Sequence, residues 1–327
     1  MNALSRRDWL KGALAGAAAL TLAPVSRAFA AGLAGTEQNA WAIGGLSNFH
    51  AIYDDPLERD AFLPFLLHVY HLYPEQAFHA LIRAKTEAHA SDEAIYRAVQ
   101  DRLDSIRPLL GELRYSLPAL RRQKKMMLAE TLQLLGPQTR IDGYLEIGTT
   151  GRYLSHLRRG LEIGGDRILL HDRKPGYGLI DIVERGQISP SARFVDMRDY
   201  AAIRPADIAD GRLDLITNFI GFHHAPADRL DGFVRSLHRV LRPGGRMVVR
   251  DHAVDSPLMN HRVALAHDVF NLGLEVPWAV NQQEIRHFTS LAELREYLGA
   301  RGFRGEPGEL YQQGDPTRNA LMVFTKE

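Results

Sequence analysis

The residues best suited to chemistry are histidines and carboxylates in the second half of the chain. His223 and His224 are adjacent, as are Asp251 and His252. Each pair follows a short apolar run, Leu213–Phe219 and Arg246–Arg250 respectively. An imidazole titrates near neutrality, so it can take a proton from an acidic atom at physiological pH. Asp251 could orient His252 or accept a hydrogen bond from a substrate. The same side chains are metal ligands, so a His/Asp hydrolytic centre is a second chemistry open to them. His171 ends another apolar run, and His261, His267 and Asp268 follow further on. Six residues separate His261 from His267, a spacing that puts them on different faces of one helix. Asn271, Trp278 and Glu284 could wall a pocket, with packing the simpler role for Trp278.

A second constellation surrounds a glycine turn. Tyr144-Leu145-Glu146-Ile147-Gly148-Thr149-Thr150-Gly151-Arg152-Tyr153-Leu154 reads as strand, turn and helix start. Glycine lets backbone come close to a ligand, because any Cβ would intrude. Such turns also bind dinucleotides and phosphates. Asp172 lies 21 residues after Gly151, at the end of the next apolar run, and Asp196 ends the one after it. His238-Arg239-Val240-Leu241-Arg242-Pro243-Gly244-Gly245-Arg246-Met247-Val248-Val249 reads as a helix, a Pro-Gly-Gly turn and a strand.

Together these segments resemble the class I S-adenosylmethionine-dependent methyltransferases (type 11/12-like domain) over about residues 139–327. The resemblance implies S-adenosyl-L-methionine as cofactor. It implies that Glu146 holds the methionine amino group, often through water, beside a turn formed by Gly148, Thr150 and Gly151. It places Asp172 on the ribose hydroxyls and Asp196 on the adenine amino group, with Met197 able to cover the ring and Asn218 at the end of the fourth strand. His223, His224, His252 and Asp251 are the expected catalytic residues, and no metal is assigned. One departure stands out. Where the family writes Glu-x-Gly-x-Gly-x-Gly, this loop is one residue short: either Thr150 replaces the middle glycine or that glycine is deleted.

These residues need elements to position them. After Gly136 short apolar runs alternate with helices, with strand candidates at 144–147, 167–171, 193–195, 213–219 and 246–250, and two more around 304–311 and 320–325. That alternation predicts an α/β, Rossmann-like, doubly wound and mostly parallel seven-stranded sheet with an antiparallel C-terminal hairpin. Before it, residues 54–138 read as an all-α cap domain, and 139–327 as the methyltransferase-like domain. Asp55 with Pro56, Pro74 and Ser91 open three helices of the cap, and a fourth spans 119–135. The Arg121-Arg122-Gln123-Lys124-Lys125 run on the fourth reads as a solvated face. A capping box at Ser290 and Glu293 opens a later helix.

The first thirty residues read as an address. Ser5-Arg6-Arg7-Asp8-Trp9-Leu10-Lys11, an apolar run from Gly12 to Ala23 and Ala28-Phe29-Ala30 give the three parts of an export signal. The paired arginines resemble a twin-arginine signal. Residues 31–53 then read as a flexible lead-in. The expected location is periplasmic or secreted, through the twin-arginine export machinery, with the cytoplasm as the alternative if the signal is unused. The apolar run is too short for a stable membrane span.

The 327 residues carry 40 Lys+Arg against 39 Asp+Glu. Removing residues 1–30 takes four cations and Asp8, leaving 36 against 38. With no basic excess, nucleic acid is not an expected partner. Zero cysteines exclude disulfides, thiolate metal sites and a cysteine nucleophile. The expected reading is methyl transfer to a small-molecule substrate. The alternatives are an exported, non-catalytic binding protein on the same fold and the metal-dependent hydrolase.

Overall fold

The computed structural model describes residues 47–70, 73–108, 115, 117–136 and 140–327. The expected signal, residues 1–30, and the lead-in as far as residue 46 lie outside the described residues. Among the described residues no helix is long and apolar enough to cross a membrane.

Five strands run parallel: β1 (Arg140–Ile147), β2 (Glu162–His171), β3 (Arg193–Asp196), β4 (Leu213–Asn218) and β5 (Leu241–His252). Strand β8 (Asn319–Lys326) returns antiparallel to β5 and also pairs with β6 (Phe303–Gly305) and β7 (Leu310–Tyr311). The order is β3-β2-β1-β4-β5-β8-β6, with β7 paired to β8. The sheet therefore has eight strands rather than seven. The single strand expected around 304–311 is interrupted, because Pro307 offers no N–H and Gly308 adopts φ +88°. The chain winds outward from β1 to β3 and then returns to β4 on the other side of β1. Ligands of such sheets bind at that reversal, beyond the carboxyl ends of the strands.

Alternation along β1 explains the two layers. Leu145 and Ile147 join Ile216, Met247, Val249 and Phe324 on one face, covered by α9 (Ala227–Val240) and α12 (Leu291–Gly299). Tyr144 joins Leu215, Val248 and Val323 on the other face. There α6 (Leu117–Leu135) supplies Met127 and Leu135, and α7 (Leu154–Leu157) supplies its two leucines. The helix assigned to the end of the cap thus lies on the sheet. Its basic run is not wholly solvated: Lys124 is buried, and its ammonium donates to the Glu184 carbonyl.

The preceding helices are α1 (Asn48–Tyr53), α2 (Pro56–Pro64, continued as one π-helical segment Phe65–Tyr70), α3 (Glu75–Ala88), α4 (Asp92–Gln100) and α5 (Leu103–Ile106). Asp55 and Ser91 cap as expected, accepting from Leu57 N and Ala94 N. Phe49, Phe62, Phe78, Ile82 and Tyr96 share one apolar core with Leu265, Val269 and Leu272 of α10 (Pro257–Gly273). Tyr96 also donates to the Val276 carbonyl at 2.8 Å, and Trp278 of α11 (Trp278–Asn281) packs on its ring. Burial of these aromatic rings holds the N-terminal helices over the strand ends.

Candidate functional site

The glycine turn after β1 is built around Glu146. Its buried carboxylate accepts from the Thr149 hydroxyl, from Tyr144 Oη at 3.1 Å and from the backbone N–H groups of Tyr153 and Leu154 at 3.1 and 2.8 Å. Burial pushes its carboxyl up, against these donors. All of its partners are internal, and they fix the turn and the entry into α7. Gly148 has φ +75°, and a Cβ there would meet Ile220 Cδ1 at 2.0 Å. Gly151 has φ +97° and faces Leu169 and Arg185. Thr150 turns inward as well, donating to Glu184 Oε2 at 3.1 Å. Arg152 completes this buried group with Nη2 at 2.8 Å from Glu184 Oε1, the two side chains only 4% and 3% exposed. Glu184 belongs to α8 (Leu179–Arg185), an element whose part in the turn the sequence reading missed.

The ends of β2 and β3 present a more open pair of carboxylates. Asp172 is half-buried and accepts from Asp199 N at 2.8 Å through Oδ1, while Oδ2 has no hydrogen-bond partner among the described residues. Burial, with Asp199 and Asp196 nearby, pushes its carboxyl up. Asp196 is exposed, and among the described residues its side chain accepts only from Arg198 N, at 3.0 Å. Met197 is buried in the core beneath the sheet. Asn218, at the end of β4, donates to Gly221 O at 3.1 Å, and its buried Oδ1 has no partner among the described residues. These free acceptors suit a ribose and an amino-bearing ring. The methionine end is tighter, since Glu146 is engaged and Ile220 fills the space beside Gly148.

The histidines converge beyond β4 and β5. His223 Nδ1 donates to Asp251 Oδ1 at 2.6 Å, and both side chains are buried. Asp251 Oδ2 accepts from Phe222 N at 2.8 Å, and Oδ1 from His252 N at 2.9 Å. Burial opposes ionisation of Asp251, but His223 and the backbone donors outweigh it and hold the carboxyl down at about 2. His252 Nδ1 lies 3.1 Å from Thr317 O. Ring centroids of His224 and His252 lie 4.1 and 5.2 Å from that of His223. All four expected catalytic residues are therefore brought together.

Two further members come from elsewhere in the chain. His267, on α10, has its ring 5.3 Å from His223 and its Nδ1 3.3 Å from Glu284 Oε1. Glu284 also lies 3.6 Å from His224 Nδ1 and is paired with Arg286 at 2.8 Å. Burial pushes His224, His252 and His267 below the usual histidine range, reinforced for His224 and His252 by neighbouring imidazoles. His261 points away to Asn48, as its spacing from His267 implied. His171 is also separate: it accepts from Arg173 N at 2.7 Å, and burial lowers it to about 4. One ring nitrogen from each of His223, His252 and His267 lies within 4.8 Å of the other two, a spacing that could hold a metal ion.

A cavity of about 140 Å³ is lined by the histidine cluster and by the end of the glycine turn, and none of Glu146, Gly148, Thr150, Gly151, Asp172, Asp196, Met197 and Asn218 lines it. Arg152 and Tyr153, at the end of the glycine turn, line it together with His223, His224, His252 and His267. Phe65 and Val69 of the N-terminal helical region and Gln123 of α6 help enclose it. Gln123 belongs to the run read as solvated. Nothing in local periodicity marks it, because its role depends on how α6 packs on the sheet.

A family profile described as "Methyltransferase domain" matches residues 119–306, more than half of the chain. A search of curated proteins found no match. Among solved structures, the chain is similar to Burkholderia thailandensis 1,6-didemethyltoxoflavin-N1-methyltransferase, crystallised with 1,6-didemethyltoxoflavin and S-adenosylhomocysteine. That similarity has 15% identity, covers 77% of this chain and 89% of that one, and has a TM-score of 0.42. The pyocyanin biosynthetic protein PhzM is similar at 14% identity over 85% of this chain and 76% of that one, with a TM-score of 0.46. YcgJ from Bacillus subtilis is similar at 15% identity over 63% and 98%, with a TM-score of 0.43. By its profile match the chain belongs to the methyltransferase-domain family.

Proposed function

We propose that the chain is an S-adenosylmethionine-dependent methyltransferase acting on a small molecule held in the histidine-lined cavity. The observation that carries this reading is the cavity itself, lined by both the end of the glycine turn and the imidazole cluster. Asp172 would hold the ribose hydroxyls, Asp196 the adenine amino group, and the Gly148–Gly151 turn the remainder. When bound, the cofactor supplies a methyl group made electrophilic by a sulfonium centre. The chain's own work is alignment and exclusion of water. Phe65, Phe219 and Phe270 provide apolar walls for a compact, partly apolar acceptor. His223, with Asp251 behind it to stabilise an imidazolium, and His224 beside it are the groups that would take the acceptor's proton. Incubation of the full chain with small-molecule extracts and methyl-labelled cofactor tests the reading. A labelled low-molecular-weight product supports it, and label found only in protein or nucleic acid contradicts it.

The location is also a proposal. Residues 1–30 would direct the folded chain through the twin-arginine pathway, and Arg6→Lys with Arg7→Lys would leave an unprocessed precursor in the cytoplasm. Unchanged fractionation of that double variant would remove the export reading.

A further inference from the structure

His223, His252 and His267 come from three separate elements, the loop after β4, the end of β5 and the middle of α10. Each is held from behind at Nδ1: His223 by Asp251 at 2.6 Å, His252 by the Thr317 carbonyl at 3.1 Å and His267 by Glu284 at 3.3 Å. These acceptors select the tautomer with the proton on Nδ1 and leave Nε2 with its lone pair. Among the described residues the three Nε2 atoms have no hydrogen-bond partner. All three imidazoles line the cavity, with one ring nitrogen of each within 4.8 Å of the other two, an arrangement that packing alone does not require. The Phe288 ring lies 5.2–5.8 Å from all three imidazoles and closes one side with apolar surface. The other side opens to the cavity.

We infer that His223, His252 and His267 bind one divalent transition-metal ion, zinc or a chemically similar cation, through their Nε2 atoms. Three imidazoles with a position left open are a ligand set for zinc in a reactive rather than a purely structural site. Carboxylate and carbonyl acceptors behind each ring are the outer shell that orients such ligands and raises their basicity. The buried Asp251 and the partly buried Glu284 offset the charge the ion brings. The metal site stands independently of methyl transfer. Only its use rests on that reading: the open position would take an acceptor oxygen and lower its proton affinity, and His223, as a ligand, would then no longer be a proton acceptor.

The experiment uses untagged full-length protein, stripped with a chelator and then titrated with zinc(II) or cobalt(II) alone. About one equivalent of zinc should stay bound after gel filtration, and cobalt should give the visible absorption of a low-coordinate nitrogen site. Added zinc should raise the melting temperature of the wild type. His252→Gln and His267→Gln should each abolish these signals, whereas His224→Gln should keep them. Should the histidine variants fail to fold, Glu284→Gln should weaken zinc by roughly 10- to 100-fold through loss of the acceptor behind His267. No retained zinc and no cobalt spectrum in the wild type would overturn the inference, as would wild-type affinity in His267→Gln. Cofactor binding, measured on the same stripped protein, fails or survives separately. A metal-free chain that still binds cofactor and transfers methyl removes the metal and keeps the enzyme.

Discussion

Asp251 and His223 are joined at 2.6 Å in the buried floor of the cavity, and the same carboxylate accepts from the backbone of Phe222 and His252. One side chain thus fixes the loop after β4, the end of β5 and the tautomer of His223. Asp251→Asn should remove the acceptor that holds the proton on His223 Nδ1. The wild type should show a downfield imidazole N–H proton resonance that this variant lacks, and with an acceptor in hand turnover should fall by ~10²–10⁴-fold. An unchanged proton spectrum with unchanged turnover would contradict the role given to Asp251.

Arg152 and Glu184 form a pair shut off from solvent beneath the glycine turn. Breaking one partner strands the other's charge, whereas replacing both with apolar groups can be nearly neutral. Glu184→Ala should lower unfolding stability by about 3–5 kcal/mol, while Arg152→Met with Glu184→Leu should cost much less. Urea unfolding of the three proteins decides it, and a loss under about 1 kcal/mol for Glu184→Ala would show that the pair is not what holds the turn.

His171 supplies a pH prediction. Its folded value is lowered to about 4, chiefly by burial, and as a neutral ring it accepts from Arg173 N. The unfolded chain protonates this residue below roughly pH 6.5 while the folded chain does not, so its contribution favours unfolding as pH falls from there toward 4. Between pH 7.5 and 5 the wild type should lose roughly 1–2 kcal/mol more stability than His171→Asn. Equal losses in the two proteins would refute this assignment.

Much of the fold was legible because strand and helix periods are local. The Ser290–Glu293 capping box and the strand ends at Asp172, Asp196 and Asn218 follow from short segments, whereas Pro243-Gly244-Gly245, expected as a turn before the strand, lies within β5 at an irregularity of its pairing with β4. The convergence of His223, His224, Asp251 and His252 followed from parallel topology alone. What local pattern could not give was the third dimension of the site. His267 and Glu284 enter the cluster only because α10 and the segment after it fold back over the strand ends. Lys124 is buried because α6 lies against α8, although its neighbours in sequence are charged. Glu146 turns inward because Thr149 and the two N–H groups opening α7 capture it.

The central claim is that the edge formed by Gly148, Asp172 and Asp196 binds the adenosyl cofactor, and calorimetric titration of the full chain with S-adenosylhomocysteine tests it most directly. The account predicts one site per chain, weakened about ten- to hundredfold in Asp172→Asn, since a charge-assisted acceptor contributes roughly 1.5–3 kcal/mol. No binding by the wild type at about 1 mM, an affinity limit near −4 kcal/mol, would contradict it.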